Sequence, residues 1–449
     1  MIIKHKKLFL IFFVTSNSYA ISLDQAYFQL AQSLQEQGNV QEAIIQYKNA
    51  LLKNPTHEQS LYNLRLLHKN QQAHELFDKA HELIVTGQTK QAVEIYQKLL
   101  AQSPHNPTLL HNIAHAYKKQ GDLEQAINFY HQALTIQPTN TKIHLGLAHS
   151  YLAQGNMVDG FKELAASNTF TLDSHEELTC LDAVDGKRIF ITTNWVIEDT
   201  ILFLRYVKLL HDKGATIIMQ TPHELAPLLK NCDYIDRIIT KDSKTLPTFD
   251  MYVPLLSIPA LCTSVDAIPT GTTYLQLSCE LSEKWKKILS HDSNLTIGLY
   301  IPQKPSNQNQ ENSISLQSFA PLAQLSGISL YSLHPLRTQD LINLPHEMLI
   351  TTFGGRRTKK EDDILALTAI MGNLDLIVTN DSLIAHLAGA LGKQTFFALD
   401  HTGEWYWQHS QSTSVWYPSV RLFQPYAAMH DNISQEIVKT IEKSGKIPQ

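Results

Sequence analysis

The chain has 449 residues, with 43% hydrophobic and 18% charged side chains and a formal net charge of −5. That length exceeds one ordinary core and calls for two or three domains, and the composition excludes a disordered chain. The charge is spread without a basic block, which excludes nucleic acid as the main partner.

Residues 1–20 begin with the basic "MIIKHKK", continue with the apolar "LFLIFFV" and end on Ser18-Tyr19-Ala20. This is the layout of a secretory signal peptide, and the apolar run is too short to span a bilayer. The expectation is therefore an exported protein, periplasmic or secreted, without stable membrane insertion once the peptide is cleaved. Without cleavage the protein is cytoplasmic.

From residue 22 to about 170 the chain repeats itself. "GNVQEAIIQYKNALLKNP", "GQTKQAVEIYQKLLAQSP" and "GDLEQAINFYHQALTIQP" share one template of Gly, Ala, aromatic, Ala or Leu, and Pro, and a weaker copy begins at Gly155. Gly87, Gly121 and Gly155 lie 34 residues apart in sequence, whereas Gly38 precedes Gly87 by 49. The excess predicts an extra helix around "EQSLYNLRLLHKNQ". Each unit is a helix pair, with Gly at the turn and Pro as the stop, and such pairs must stack to bury their apolar faces.

After about residue 185 short apolar strands alternate with helix-length segments. "RIFITT", "ATIIMQT", "DRIIT", "DMYVPLL", "LTIGLYI", "ISLYSL", "EMLITTF", "LDLIVT" and "QTFFALD" predict nine strands in two parallel sheets. The boundaries fall at 185–290 for a first lobe and 294–445 for a second. In the second lobe "TNDSLIAHLAGALGKQ" (379–394) follows a strand with a polar head and a short helix, a place where an anion can meet helix N–H groups. "TTFGGRRTKKEDD" holds the densest basic cluster. The four cysteines lack C-x-x-C spacing, so no metal site is expected, and one or two disulfides stay open. His111 and His115 stand four apart, but no third ligand accompanies them.

The helical segment resembles the tetratricopeptide repeat (TPR). "EDTILFLRYVKLLHDKGATI", "FDMYVPLLSIP", "TNDSLIAHLAGALGK" and "VWYPSVRLF" follow it in the order of the landmarks of bacterial TPR proteins with a heptosyltransferase-like, glycosyltransferase family 9-like domain. The resemblance implies a TPR α-solenoid followed by a GT-B-like pair of Rossmann-type α/β lobes. The first lobe would take the acceptor and the second the nucleotide sugar, in a transfer without metal or other cofactor.

Carried over by position, Asp199 is the catalytic base and Asp381, Ser382, His386 and Lys304 bind the donor. Arg356 and Arg357 offer further phosphate contacts. Gly389 and Gly392 fit tight packing and the helix stop, while Trp416, Tyr417, Pro418 and Arg421 form a structural landmark. On the repeats, His74, His81, His111, His115 and His149 would line a groove for a protein or peptide. Against catalysis stand three departures. The Gly-x-Gly-Asp loop of the family reads "WVIEDT" here, with Val196 and Glu198 at the glycine positions. The Trp-x-Gly loop at the second lobe is replaced by "GLYIPQKPSNQNQENS", and Asp-Trp-Arg-Trp by Glu404-Trp405-Tyr406-Trp407. The sequence thus supports a glycosyltransferase with a partly eroded site or, alternatively, a TPR interaction scaffold with a degenerate transferase domain.

Overall fold

In the computed structural model the described residues are 21–168, 170–172, 175–243, 245–262, 268–269, 273–300, 319, 322, 326–334, 344, 348–353, 360–399, 404–407, 412–423, 433, 435–437 and 439, with backbone alone for 360–363. Residues 1–20, with the expected signal peptide, and Lys304, Arg356 and Arg357 lie outside them. The chain divides into two compact units, Met1–Pro104 and His105–Gln449.

The first unit holds α1 (Leu23–Glu36), α2 (Val40–Lys53), α3 (Glu58–Val85) and α4 (Thr89–Gln102). Apolar residues three and four apart turn one face of each helix inward: Ala26, Phe28, Ala31 and Leu34 on α1 meet Ala43, Ile44, Tyr47 and Ala50 on α2. The alanines admit close approach, and the Tyr47 hydroxyl donates to Gln35 at 2.9 Å while accepting from Asn63 at 3.0 Å. Gly38 and Gly87 close their helices at φ +77° and +81°, the left-handed region the repeat template predicts for its glycines. The expected extra helix is not a separate element. It is fused with the next repeat's first helix into the 28-residue α3, because no Gly or Pro interrupts residues 58–85.

The second unit begins with α5 (Pro107–Gln120), α6 (Leu123–Ile136), α7 (Thr141–Gln154) and α8 (Met157–Ala166). Asn106, Asp122, Asn140 and Asn156 cap their N-termini by accepting backbone N–H bonds. Gly121 and Gly155 again turn at positive φ.

Two parallel sheets follow. The first contains β1 (Glu176–Glu177), β2 (Arg188–Thr192), β3 (Thr216–Gln220), β4 (Arg237–Ile239) and β5 (Met251–Pro254) in the order β1-β5-β2-β3-β4. The second contains β6 (Leu295–Tyr300), β7 (Ile328–Ser332), β8 (Ile350–Thr352), β9 (Leu376–Thr379), β10 (Thr395–Ala398) and β11 (Val420–Phe423) in the order β11-β10-β9-β6-β7-β8. All nine expected strands form. The sequence missed β1, two residues paired to β5, and β11, hidden inside the landmark "VWYPSVRLF".

Between strands run α9 (Ile197–Asp212), α10 (Ala226–Leu229), α11 (Cys279–Leu289), α12 (Lys360–Gly372) and α13 (Leu383–Ala390). One continuous core joins α7 and α8, the first sheet, α9, α13 and the aromatic residues around Trp405–Trp407 and Trp416-Tyr417. Helix α9 packs directly on α13. The pairing of strand, helix and strand places the N-terminal ends of α9 and α13 at the carboxyl edges of β2 and β9, where open α/β sheets bind ligands. The described cysteines, Cys180, Cys232, Cys262 and Cys279, are all free.

Candidate functional site

Asp199 lies in the first turn of α9, half-buried, and its Oδ2 accepts from Asn194 Nδ2 at 2.7 Å. Burial raises its carboxyl to about 6, and Glu198 and Glu404 push the same way against the Asn194 hydrogen bond. The loop ahead of it carries a feature that sequence reading missed. Trp195 sits at φ +65°, the sole non-glycine residue at positive φ among the described residues. A tryptophan there is strained by about 1–2 kcal/mol. The ammonium of Lys241, 4.5 Å from the ring centroid, and the Asn194 Oδ1 bond from Val196 N–H hold the loop in place. The left-handed bend falls at Trp195, one residue ahead of the first lost glycine position, where Val196 has an ordinary φ of −84°.

Asp381 faces the same space from the second lobe. Its Oδ1 accepts from Trp407 Nε1 at 2.8 Å, and burial raises it to about 6, with Glu404 and Glu198 adding to the rise. The structure thus brings Asp199 and Asp381 into one electrostatic neighbourhood with two further carboxylates, Glu198 and Glu404. The hydroxyl of Tyr406 lies among all four, and burial followed by Asp381, Glu404, Asp199 and Glu198 holds it protonated.

Ser382 precedes α13, but its hydroxyl does not cap the helix. It turns back to donate to the Asn380 carbonyl at 2.9 Å and sits 3.0 Å from Thr379 Oγ1. Helix α13 therefore starts without a side-chain cap from Ser382, whose hydroxyl is taken up by the Asn380 carbonyl and Thr379 instead.

His386 is fully buried one turn further on. Its Nδ1 shares a 2.9 Å hydrogen bond with the Tyr417 hydroxyl, and its ring meets Tyr406 and Trp407 edge-on or tilted. Burial, with help from Arg205, lowers it to about 3, so it is neutral at physiological pH. Gly389 is required by this packing, since a Cβ there would stand 2.3 Å from the Tyr417 ring. Arg205 of α9 is 4% exposed, donates to Leu202 O and the Tyr274 hydroxyl, and lies 4.8–5.5 Å over the rings of Tyr274, Trp416 and Tyr417. This cation rests in an aromatic box that ties α9 to the second lobe.

The repeat histidines separate. His74 and His81 on α3 are exposed in the first unit, where a pocket between α1 and α3 is lined by Phe28, Gln32, Glu58, Gln59, Tyr62 and Asn63. In the second unit His111 and His115 lie on α5 and His149 on α7. His111 meets the Tyr130 ring edge at 5.5 Å, and burial lowers its affinity for a proton. His149 stacks on Trp405 with centroids 5.7 Å apart and is lowered to about 3 by burial and then by Lys118. Lys118 on α5 is itself lowered by burial, with Glu404 opposing that shift. Among the described residues no group of three His, Cys, Asp or Glu is placed to hold a metal ion.

Residues 24–57, 83–129 and 114–155 match family models of the tetratricopeptide repeat. The helical region is built of TPR repeats. Among solved structures, the chain is similar to a glycosyl transferase family 9 protein from Veillonella parvula, at 14% identity over 58% of this chain and 97% of that one, with a TM-score of 0.41. It is also similar to the TPR2AB domain of yeast Sti1 (18% identity, 33% of this chain, TM-score 0.21) and the Sgt2 TPR domain of Aspergillus fumigatus (20%, 21%, 0.21). The chain spans 61% and 64% of those two proteins, less than two thirds of each. No curated protein matches the sequence. The architecture is a TPR array followed by two parallel-sheet α/β lobes, with structural similarity to a family 9 glycosyltransferase.

Proposed function

We propose that this protein is a TPR interaction protein whose glycosyltransferase-like lobes serve as a folded platform and do not take the diphosphate of a nucleotide sugar. One observation carries the reading: Glu198 from one lobe and Glu404 from the other both act on Asp199 and on Asp381, the residues to which the resemblance gives catalysis and donor binding. Like charges gathered in a partly buried site repel a further anion more strongly than they would in water. A diphosphate entering this space meets that field, opposed among the described residues by Lys118 of the repeats. The Arg205 box supports the same reading, because a buried guanidinium shared by both sides of the α9–α13 contact opposes hinge motion. Partner binding is assigned to the open pocket between α1 and α3, where Tyr62 is 68% exposed.

A second reading, sugar transfer with Asp199 as general base, is favoured by its carboxyl at about 6, close to the pKa that suits proton transfer near neutrality. Isothermal titration of the full chain with UDP-, GDP- and ADP-sugars separates the two. The platform reading expects no heat or millimolar affinity throughout. A dissociation constant of roughly 10 μM or tighter for any donor, lost in Asp381→Ala, overturns it.

A further inference from the structure

We propose that the repeats are part of the α/β site: His149 is a positioning residue that holds the Trp405–Trp407 segment and, through it, fixes Asp381. The repeat histidines drew attention in the sequence as candidates for an external groove. In the structure the face of α7 that carries His149 already has an occupant, and it belongs to the same chain. Trp405, on which His149 stacks, is 7% exposed, and Trp407, two residues on, is 0% exposed.

The segment is held from three directions. Trp405 meets Trp416 at 5.5 Å and Phe203 of α9 at 6.4 Å, while Trp407 packs on Phe397 of β10 at 4.1 Å. From the repeats come the His149 ring and the ammonium of Lys118, which is within electrostatic reach of Glu404. The outcome at the site is one directed contact, the 2.8 Å bond from Trp407 Nε1 to Asp381 Oδ1. A three-residue 3₁₀ turn, Trp405–Trp407, has no internal stiffness to hold that donor in place. Its orientation is set by what packs on either side, and α7 supplies one of those sides.

The charged and titratable groups around the contact are Glu198, Asp199 and Arg205 of α9, Asp381, His386, Glu404, Tyr406 and Tyr417 of the second lobe, and Lys118, Lys119, His111, Lys142 and His149 of the repeats. Arg205, Lys118, Lys119 and Lys142 are the positive members. Removing the His149 ring frees Trp405, and the donor to Asp381 swings away.

The chain contains five tryptophans, so selective indole 15N labelling of the full-length protein gives five N–H resonances, assignable by Trp→Phe substitution. The wild-type Trp407 resonance is expected to titrate with Asp381. In His149→Ala the resonance loses its hydrogen-bonded shift or broadens, His149→Phe restores it, and Trp195 and Trp285 stay in place. A Trp407 resonance with unchanged position and midpoint in His149→Ala overturns the proposal. Should His149→Ala fail to fold, His149→Leu, which keeps most of the side-chain volume but not the flat ring, decides the case by the same readout. These outcomes are independent of whether any nucleotide sugar binds.

Discussion

The first two helix pairs and the last two follow one template, yet they meet different fates. On α3, His74 and His81 point to solvent, and Tyr62 is left open beside Phe28. On α7 and α8, Ala148, Leu152, Phe161 and Leu164 are drawn into a core shared with the α/β lobes, and His149 becomes a stacking partner. The lesson is that a repeat face has no intrinsic function. Whatever buries it assigns one, and here the second half of the array is taken by the chain itself.

That contrast can be broken by experiment, and all five tryptophans lie beyond residue 104, so their fluorescence reports the second unit. The largest expected effect is at Phe161 of α8, 1% exposed and in contact with Tyr206 and Trp416. Phe161→Ala should cost about 3–4 kcal/mol in urea unfolding followed by tryptophan emission. A cost below about 1 kcal/mol would mean that the repeats merely abut the lobes. Gly389→Ala forces a methyl group into the Tyr417 ring and should cost about 1–3 kcal/mol, with the His386–Tyr417 bond disturbed.

Acidification offers a third test, with opposing signs. His149 and His386, lowered to about 3 from 6.5, resist protonation when folded, so their contribution to stability is full above 6.5 and is lost as pH falls. Asp199 and Asp381, raised to about 6 from 3.8, oppose folding when ionised, and that penalty is relieved as pH falls through 6. Between about pH 6 and 4 the two protons taken up by the folded state match the two taken up by the unfolded state. Stability should be flat there and fall steeply below pH 4. In Asp199→Asn the plateau should be replaced by a decline that begins near pH 6. A wild-type decline beginning at pH 6.5 would show that the two carboxyls titrate normally.

Trp407→Phe keeps most of the ring but removes the donor to Asp381, and should cost about 1–2 kcal/mol. The smallest effect belongs to the first unit. Tyr62→Ala, at an exposed position, should change the thermal midpoint of that unit by less than the equivalent of about 0.5 kcal/mol, as seen by circular dichroism. A large loss would instead make Tyr62 part of the first unit's core.

Much of the fold was legible because its signals are local. A glycine every 34 residues announces a left-handed turn, and Gly38, Gly87, Gly121 and Gly155 all adopt one. Apolar runs with β-branched residues mark buried parallel strands, and nine of them formed as expected. The two missed strands had little periodicity to read: β1 is two glutamates that gain strand geometry by pairing with β5, and β11 alternates around the exposed Arg421 inside a tract read as a landmark. The extra helix has the opposite history: the 49-residue spacing announced it, but no Gly or Pro parts it from the next one, so the two run together in α3.

The site was legible in its members but not in its meaning. Asp199 and Asp381 each follow a strand at the head of a helix, which the residue order already declares. That Glu198 and Glu404 would join them, that Ser382 would leave α13 uncapped, and that Trp195 would take a positive φ are outcomes of three-dimensional placement. Sequence by itself determined the repeats, the strands and the two helix heads, because hydrophobic period and turn chemistry act over a few residues. Tertiary structure alone decided which histidines see solvent and which carboxylates see one another, because burial and charge act between residues up to some 300 positions apart in the chain, from Lys118 to Glu404.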